Sequence, residues 1–322
     1  MGRVAVIGVG YWGKNIARSF SRLGCLEAVV DANPAQAKDV SETLGCSARE
    51  FGQVLSDPAI TGVAIATRAE THFDLAKQAL AAGKHVFVEK PLVLNEAEAD
   101  HLIEQAQSAG RVLMVGHLLR YHPLFRKMLD VVTSGHHGSL RHISSDRMSL
   151  GKIRTEENVL WSFGPHDVSM VLALAGAEPH TVSSQGSFLV TTGIADIASM
   201  HMCFAGGLTA DIRTSWISHR KLQQCIAVCD GASIVFEDSE KDWNRKLSIH
   251  PHTITMENGL PVPKRGEVSY VSVPEAEPLM EECQHFVDCL QGAAPLTNGI
   301  EGRSVLRVLQ RATDSMRALG RN

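Results

Sequence analysis

The sequence predicts an α/β protein in two parts: a dinucleotide-binding domain on a parallel sheet over residues 1–120, then an α/β domain over residues 121–322 whose sheet is mostly antiparallel. Three observations carry this. Short, almost wholly apolar runs alternate with helix-length segments through the first third, as in βα units whose sheet is covered on both faces. A GxGxxG turn stands between the first apolar run and the first helical segment. After about His117, runs of alternating polarity follow one another directly, which favours antiparallel neighbours.

The elements follow in order. RVAVIG, LEAVVD, a short run at SARE, GVAIAT, KHVFVE and RVLMVG read as strands. Between them YWGKNIARSFSRLG, NPAQAKDVSETLG, a turn at VLSD, THFDLAKQALAAG and NEAEADHLIEQAQSAG read as helical. Thr71 and Asn95 are placed to cap helices, and Gly24, Gly45, Gly83 and Gly110 to stop them. RYHPLFRKMLDVVTSG reads as a helix with Pro123 near its start, and SLRHISSDRMS opens the strand-rich region. IASMHMCF, GLTADIRTSW, QQCIAVCD and ASIVFED continue it, while LPVPKRGE reads as a turn or loop because of its prolines. EECQHFVDCLQG and GIEGRSVLRVLQRATDSMRALG close the chain as helices, the last expected to pack back on the first domain.

Composition excludes several classes. The 322 residues are 44% hydrophobic and 20% charged, with a net charge of -4. No cationic field draws in nucleic acid or an anionic membrane surface. Seven cysteines in apolar or helical surroundings, without a CxxC pair, read as reduced thiols. Cys225, Cys229 and His219 lack zinc-site spacing, so no metal is expected. The chain shows neither a signal-peptide pattern nor a membrane-length apolar run, and the expectation is a cytoplasmic protein with no membrane partner.

Gly8, Gly10 and Gly13 form the GxGxxG of AVIGVGYWGKN. A side chain at Gly8 would obstruct the tight turn, at Gly10 it would hold the backbone off a pyrophosphate, and at Gly13 it would crowd helix against sheet. The helix N-terminus presents N–H groups to the anion. Asp31 ends the second strand about twenty residues on, where its carboxylate can accept from an adenosine ribose. That charge repels a further phosphate, and Ala32 and Asn33 supply no basic replacement, so NAD is favoured over NADP. Thr67 either contacts the dinucleotide or caps a turn, with His72 nearby; Tyr11 and Trp12 either cover the cofactor or pack helix on sheet. This is a Rossmann domain, with the second domain expected to supply the opposite wall of a cleft.

KHVFVEKPL ends a late strand in Glu89, Lys90 and Pro91. Pro91 restricts Lys90, so an ammonium is aimed from a stiff turn at the ligand-bearing edge of the sheet. A solvated Glu/Lys pair before a proline turn is the competing reading.

GVGYWGKN, VVD, the Thr67 turn and EKPL together resemble the glucose-fructose oxidoreductase/inositol dehydrogenase (Gfo/Idh/MocA) family of NAD(P)-dependent oxidoreductases, over essentially the whole chain. The resemblance implies a large open sheet in the second domain, a homodimer or homotetramer joined through it, and Lys90 beside the nicotinamide on a cis Lys90–Pro91 turn with Glu89 shaping that end. It also implies a histidine in a helix-opening Asp-x-Gly-x-His pattern. In NVLWSFGPHDVSMVLALAG, Gly164 and His166 match, Ser162 takes the acidic position, and Asp167 offers a different carboxylate. Pro165 is expected to mark the helix start, and a structural histidine is the alternative reading of His166.

For a secondary alcohol, NAD accepts the hydride while the protein orients the carbinol and manages its proton. His166 is the leading general base and Lys90 the donor to the incipient alkoxide; the roles exchange if burial makes Lys90 neutral. VGHLLRYHP resembles the family's interdomain segment after the cofactor sheet, which implies substrate contacts from His117, Arg120, Tyr121 and His122, with His122–Pro123 also reading as a helix start. DRMSLGKIRTEENVLW resembles the substrate-side segment of its nucleotide-sugar members. Arg147, Lys152 and Arg154 would approach a diphosphate, Asn158 a sugar substituent or the nicotinamide, and Trp161 the cofactor. The short NVLWSFGPHD form resembles members that oxidise C3 of UDP-N-acetylglucosamine, which implies a UDP-sugar substrate and a 3-keto product passed to an aminotransferase for 3-amino sugar synthesis. A UDP-aminouronate, inositol or another sugar alcohol is the alternative substrate, and an NAD-responsive binding protein the alternative class.

Overall fold

The structure, a computed structural model, describes residues 2–319. The described residues divide into two compact units, residues 2–121 with 276–307, and residues 122–275 with 308–319.

In the first unit, strands β1 (Arg3–Ile7), β2 (Leu26–Val30), β3 (Ser47–Ala48), β4 (Ile60–Ile65), β5 (His85–Glu89) and β6 (Leu113–Gly116) alternate with helices α1 (Gly13–Arg22), α2 (Pro34–Leu44), α3 (Phe51–Ser56), α4 (His72–Ala81) and α5 (Glu96–Ala109). The strands form one parallel sheet in the order β3-β2-β1-β4-β5-β6. This is the doubly wound order, in which the chain reverses direction across the sheet between β1 and β4 and leaves a ligand crevice at the carboxyl ends. The strands are apolar on both faces because helices cover both, and Val4, Val6, Val63, Ala64, Phe87 and Val88 are fully buried. Gly24, Gly45, Gly83 and Gly110 all stand at positive φ after their helices, as expected of stops. Asn95 caps α5 by accepting from the Glu98 amide at 2.9 Å. Thr71 precedes α4 but does not cap it, because its hydroxyl turns back to the Arg68 carbonyl and Thr67 Oγ1 at 2.8 and 2.7 Å.

In the second unit, α6 (Pro123–Thr133), β7 (Leu140–Leu150) and α7 (Val159–Ala175) lead into β8 (Thr181–Ser187), β9 (Ile197–Cys203), β10 (Thr209–Ser215), β11 (Ile217–Cys229), β12 (Ala232–Glu237), β13 (Leu247–Glu257), β14 (Leu260–Arg265) and β15 (Ser269–Tyr270). Among the described residues these strands form a nine-stranded sheet, β14-β13-β12-β11-β7-β10-β9-β8 with β15 on β13, antiparallel except for the β7/β10 pair. Its strands alternate: in β12, Ala232, Ile234 and Phe236 are buried while Ser233, Val235 and Glu237 face the other way, partly exposed.

Two expectations need correction. The LPVPKRGE stretch contains strand β14 rather than only a loop. Pro261 and Pro263 share one side of the strand, and β14 is an edge, so their missing N–H groups fall where no neighbour needs a donor. Helix α7 starts at Val159 and not at Pro165, because Asn158 caps it through the Trp161 amide at 3.1 Å; Pro165 lies inside it.

Helices α8 (Pro278–Cys289) and α9 (Gly299–Leu319) end the chain. The first half of α9 is tied to α5 by Arg303–Asp100 (2.6 Å) and Arg307–Glu96 (2.7 Å). In the second half, Arg311 donates to the Pro179 and His180 carbonyls at 2.8 and 2.7 Å, and Ser315 Oγ accepts from the Ser184 amide at 3.0 Å.

Candidate active site

The turn after β1 is built as a phosphate cradle. Gly8 has φ +85°, and a Cβ there would lie 2.7 Å from Thr67 Cγ2 and 2.9 Å from the Ala66 carbonyl oxygen. A Cβ on Gly13 would meet the Gly8 carbonyl oxygen at 1.9 Å, whereas one on Gly10 would have no neighbour within 4 Å. The first and third glycines therefore hold the turn closed, and the second leaves open backbone where a pyrophosphate can approach the start of α1. These residues fit a dinucleotide.

At the end of β2, Asp31 accepts from the Val9 amide (2.8 Å) and the Asn33 amide (2.9 Å), so its carboxylate is fixed against the glycine turn. Gln36 joins both, donating to the Val9 carbonyl at 2.8 Å and to Asp31 at 3.3 Å. Sequence reasoning missed Gln36, since an amide in the first turn of a helix carries no motif. Asn33 caps α2 through the Ala35 and Gln36 amides. Tyr11 is 92% exposed and Trp12 partly so, with the Trp12 indole donating to Glu89 Oε1 at 2.6 Å. Trp12 thus spans from the glycine turn to the end of β5.

That end carries the EKP turn. Glu89 is buried, and burial raises its carboxyl above the ordinary range against the pull of the Trp12 indole and Lys90. Lys90 is partly exposed and the Lys90–Pro91 bond is cis. Behind the turn His72 is 1% exposed, with Nδ1 2.8 Å from the Pro91 carbonyl and Nε2 3.2 Å from the Thr67 carbonyl. Burial keeps this imidazole below the ordinary histidine range, and one ring links two loops of the crevice.

Strand β6 pairs with β5 in the register Glu89↔Gly116, so Lys90 and His117 leave adjacent parallel strands side by side. His117 is 1% exposed, and its Nε2 lies 3.6 Å from Glu301 Oε2. Arg120 holds Glu301 Oε1 at 3.0 Å. Tyr121 is buried with its hydroxyl 2.8 Å from Thr297 Oγ1. The sequence reading offered Arg120 and Tyr121 to a substrate; here one is paired to α9 and the other locks the chain just before it. Glu282 on α8, buried without a hydrogen-bond partner among the described residues, also escaped the sequence reading, since a carboxylate in an amphipathic helix reads as surface.

In the second unit His166 is partly exposed on α7, one turn beyond Ser162. Ser162 Oγ accepts from Arg154 Nε at 3.0 Å, and Arg154 also pairs with Glu157 at 3.0 Å. Gly164 is required by packing: a Cβ there would sit 3.0 Å from Leu160 and 3.4 Å from Leu309. Asp167 is fully buried and accepts from Ser145 at 2.7 Å and Arg147 at 2.7 Å. Arg147 is therefore not a cation open to a diphosphate, because the low-dielectric interior commits it to Asp167. Lys152 remains exposed. Asn158 is occupied as the α7 cap, and the Trp161 indole donates to Thr313 on α9 at 2.9 Å.

Comparison with known proteins matches residues 2–117 to the oxidoreductase family with NAD-binding Rossmann fold, and residues 125–235 to the GFO/IDH/MocA C-terminal domain. The chain is 30% identical over 94% of both sequences to UDP-N-acetylglucosamine 3-dehydrogenase of Acidithiobacillus ferrooxidans. It is 28% identical to myo-inositol 2-dehydrogenase of Thermotoga maritima, over 74% of this chain and 76% of that one. The solved structure of the Acidithiobacillus ferrooxidans enzyme GnnA is similar with a TM-score of 0.87, at 27% identity, covering 99% of each chain.

Proposed function

The chain belongs to the Gfo/Idh/MocA family of NAD-dependent oxidoreductases, and from that membership we propose that it oxidises the C3 hydroxyl of UDP-N-acetylglucosamine to a ketone. What supports this substrate is the 30% identity to a UDP-N-acetylglucosamine 3-dehydrogenase along 94% of both chains, together with the TM-score of 0.87 to a solved structure of that enzyme.

Bound NAD supplies the acceptor for the hydride leaving C3. Gly8, Gly10 and Gly13 with the N-terminus of α1 receive the pyrophosphate, Asp31 the ribose hydroxyls, and Tyr11, Trp12, Thr67 and Glu89 line the way to the EKP turn. Lys90 and His166 share the carbinol: one donates to the oxygen as charge develops and the other takes its proton. Lys152 and Arg154 are the cations assigned to the diphosphate.

The 3-keto sugar is a substrate for transamination, so an aminotransferase forming a 3-amino sugar is the proposed successor. The proposed assembly is a homodimer or homotetramer through the second-unit sheet. Because NAD and nucleotide sugars are cytoplasmic metabolites, the cytoplasm is the proposed location; among the described residues no helix is long and apolar enough to cross a membrane.

A panel of UDP-sugars and inositols with NAD, read by cofactor absorbance and sugar mass, tests the assignment. The expected result is loss of two hydrogens from UDP-N-acetylglucosamine. Lys90→Ala and His166→Ala are each expected to bind NAD normally and to lower kcat by about 10²- to 10⁴-fold. Turnover of inositol alone, or full activity in both variants, would reject the reading.

A further inference from the structure

The open face of the second-unit sheet carries a row of side chains that the proposed dehydrogenation does not use. Along β9 the burial alternates: Ala198, Met200 and Met202 are buried, while Ser199, His201 and Cys203 face the other way and meet solvent at least in part. The antiparallel register sets Asp211 of β10 opposite His201, and Thr209 opposite Cys203. His142 of β7 follows next to Thr209.

This pairing brings a thiol, an imidazole and a carboxylate into one line. Cys203 Sγ is 3.5 Å from His201 Nε2, and His201 Nδ1 is 2.7 Å from Asp211 Oδ1. A carboxylate only accepts, so the neutral ring carries its N–H on Nδ1 and turns the lone pair of Nε2 to the thiol. A second imidazole steadies the acid: His142 Nε2 is 3.4 Å from Asp211 Oδ2, while its Nδ1 meets Thr209 Oγ1 at 2.8 Å. Nucleophile, base and orienting acid thus stand in the order that activates a cysteine. Beside them a cavity of ≈ 450 Å³ is lined by residues including Ser183, Gln185, Ser199, His201, Asp211 and Arg213. Arg213 gives Nε and Nη2 to Asp146 and its side chain is 62% exposed, so the guanidinium has further N–H groups to offer a ligand. Strand β9 is next to the sheet edge at β8, which leaves Cys203 on the rim of the face proposed for self-association.

We propose that Cys203 is a modification site at which His201 and Asp211 drive mixed-disulfide formation with a small polar disulfide seated in the adjoining cavity. His201 Nε2 takes the thiol proton, and the sulfur attacks one sulfur of the disulfide. A new S–S bond to Cys203 forms as the old one breaks; the departing thiolate takes the proton back from Nε2 and leaves as a thiol. Cys203 is oxidised, the departing half of the disulfide is reduced, and His201 ends in its starting tautomer. Excess thiol runs the exchange backwards. The step uses neither NAD nor a sugar, so its failure and that of the proposed dehydrogenation are separate results.

The chain carries its own control. Of its seven cysteines five are buried, and Cys46 and Cys203 are partly exposed. Burial raises the Cys46 thiol above its ordinary range, and the Glu27 charge adds to this. The full chain is treated with oxidised glutathione under native conditions, and intact mass with peptide mapping follows each thiol. The expected first adduct is on Cys203, forming at least about 10-fold faster than on Cys46. His201→Gln and Asp211→Ala alter side chains that are 46% and 47% exposed. Each should slow Cys203 about 10-fold while the Cys46 rate and NAD affinity stay unchanged. Reaction at Cys46 as fast as at Cys203, no adduct on Cys203, an unchanged Cys203 rate in either variant, or a slowing shared by Cys46 would each overturn the proposal.

Discussion

Glu282 shows what one side chain can do to the pH response of this fold. Its carboxyl is fully buried and unmatched among the described residues, and burial, helped by the charge of Glu89, holds it well above the ordinary carboxylate range. The folded chain therefore keeps a proton that the unfolded chain releases above about pH 4.5. Native protein binds more protons than unfolded protein in that window, so stability falls as pH rises, at up to about 1.4 kcal/mol per pH unit until the folded group ionises. Glu282→Gln removes the titration. Thermal melts from about pH 5 to pH 8 should show the variant gaining on the wild type as pH increases; parallel curves would mean that the acid is solvated. Lys90 and Asp31 were legible in sequence because fixed motifs place them at strand ends. Glu282, Glu301 and Gln36 were not, since each acts through a neighbour distant in the chain or through a bond no motif encodes.

At the scale of elements, α7 depends on one side chain before WSFGPH. Asn158 accepts from the Trp161 amide and starts the helix that carries His166. Loss of such a cap costs about 1 kcal/mol. Asn158→Ala should lower the melting temperature by a few degrees, while Asn158→Asp retains the acceptor and the wild-type value. A rise in KM with an unchanged melt would return Asn158 to the substrate. Strand β14 shows that two prolines argue against a strand only where both sides of it need donors, and edge position is invisible in a linear sequence.

At the scale of the whole molecule, the second-unit sheet has one face carrying Ser144, Ile226 and Val235 in register, all partly exposed. Further across it, a cavity of ≈ 450 Å³ is lined by residues including Ser183, Ser199, His201, Asp211 and Arg213. A face of that composition suits the proposed self-association, and a charge at its centre would have to be desolvated without a partner. Ile226→Lys should shift the mass measured by light scattering from dimer or tetramer to monomer while leaving NAD binding intact. An unchanged mass would place the contact elsewhere.

The sequence by itself determined the βα order of the first unit, the glycine cradle, the acidic end of β2, the EKP turn and the antiparallel character of the second sheet. These are fixed by short-range stereochemistry and by the periods of helix and strand, both written within a few residues. Only the tertiary structure decided which polar groups are spent on one another. Arg147 went to Asp167, Arg120 to Glu301 and Trp12 to Glu89 because burial makes an unmatched polar group costly, and the partner that satisfies it lies 20, 181 and 77 residues away in the chain.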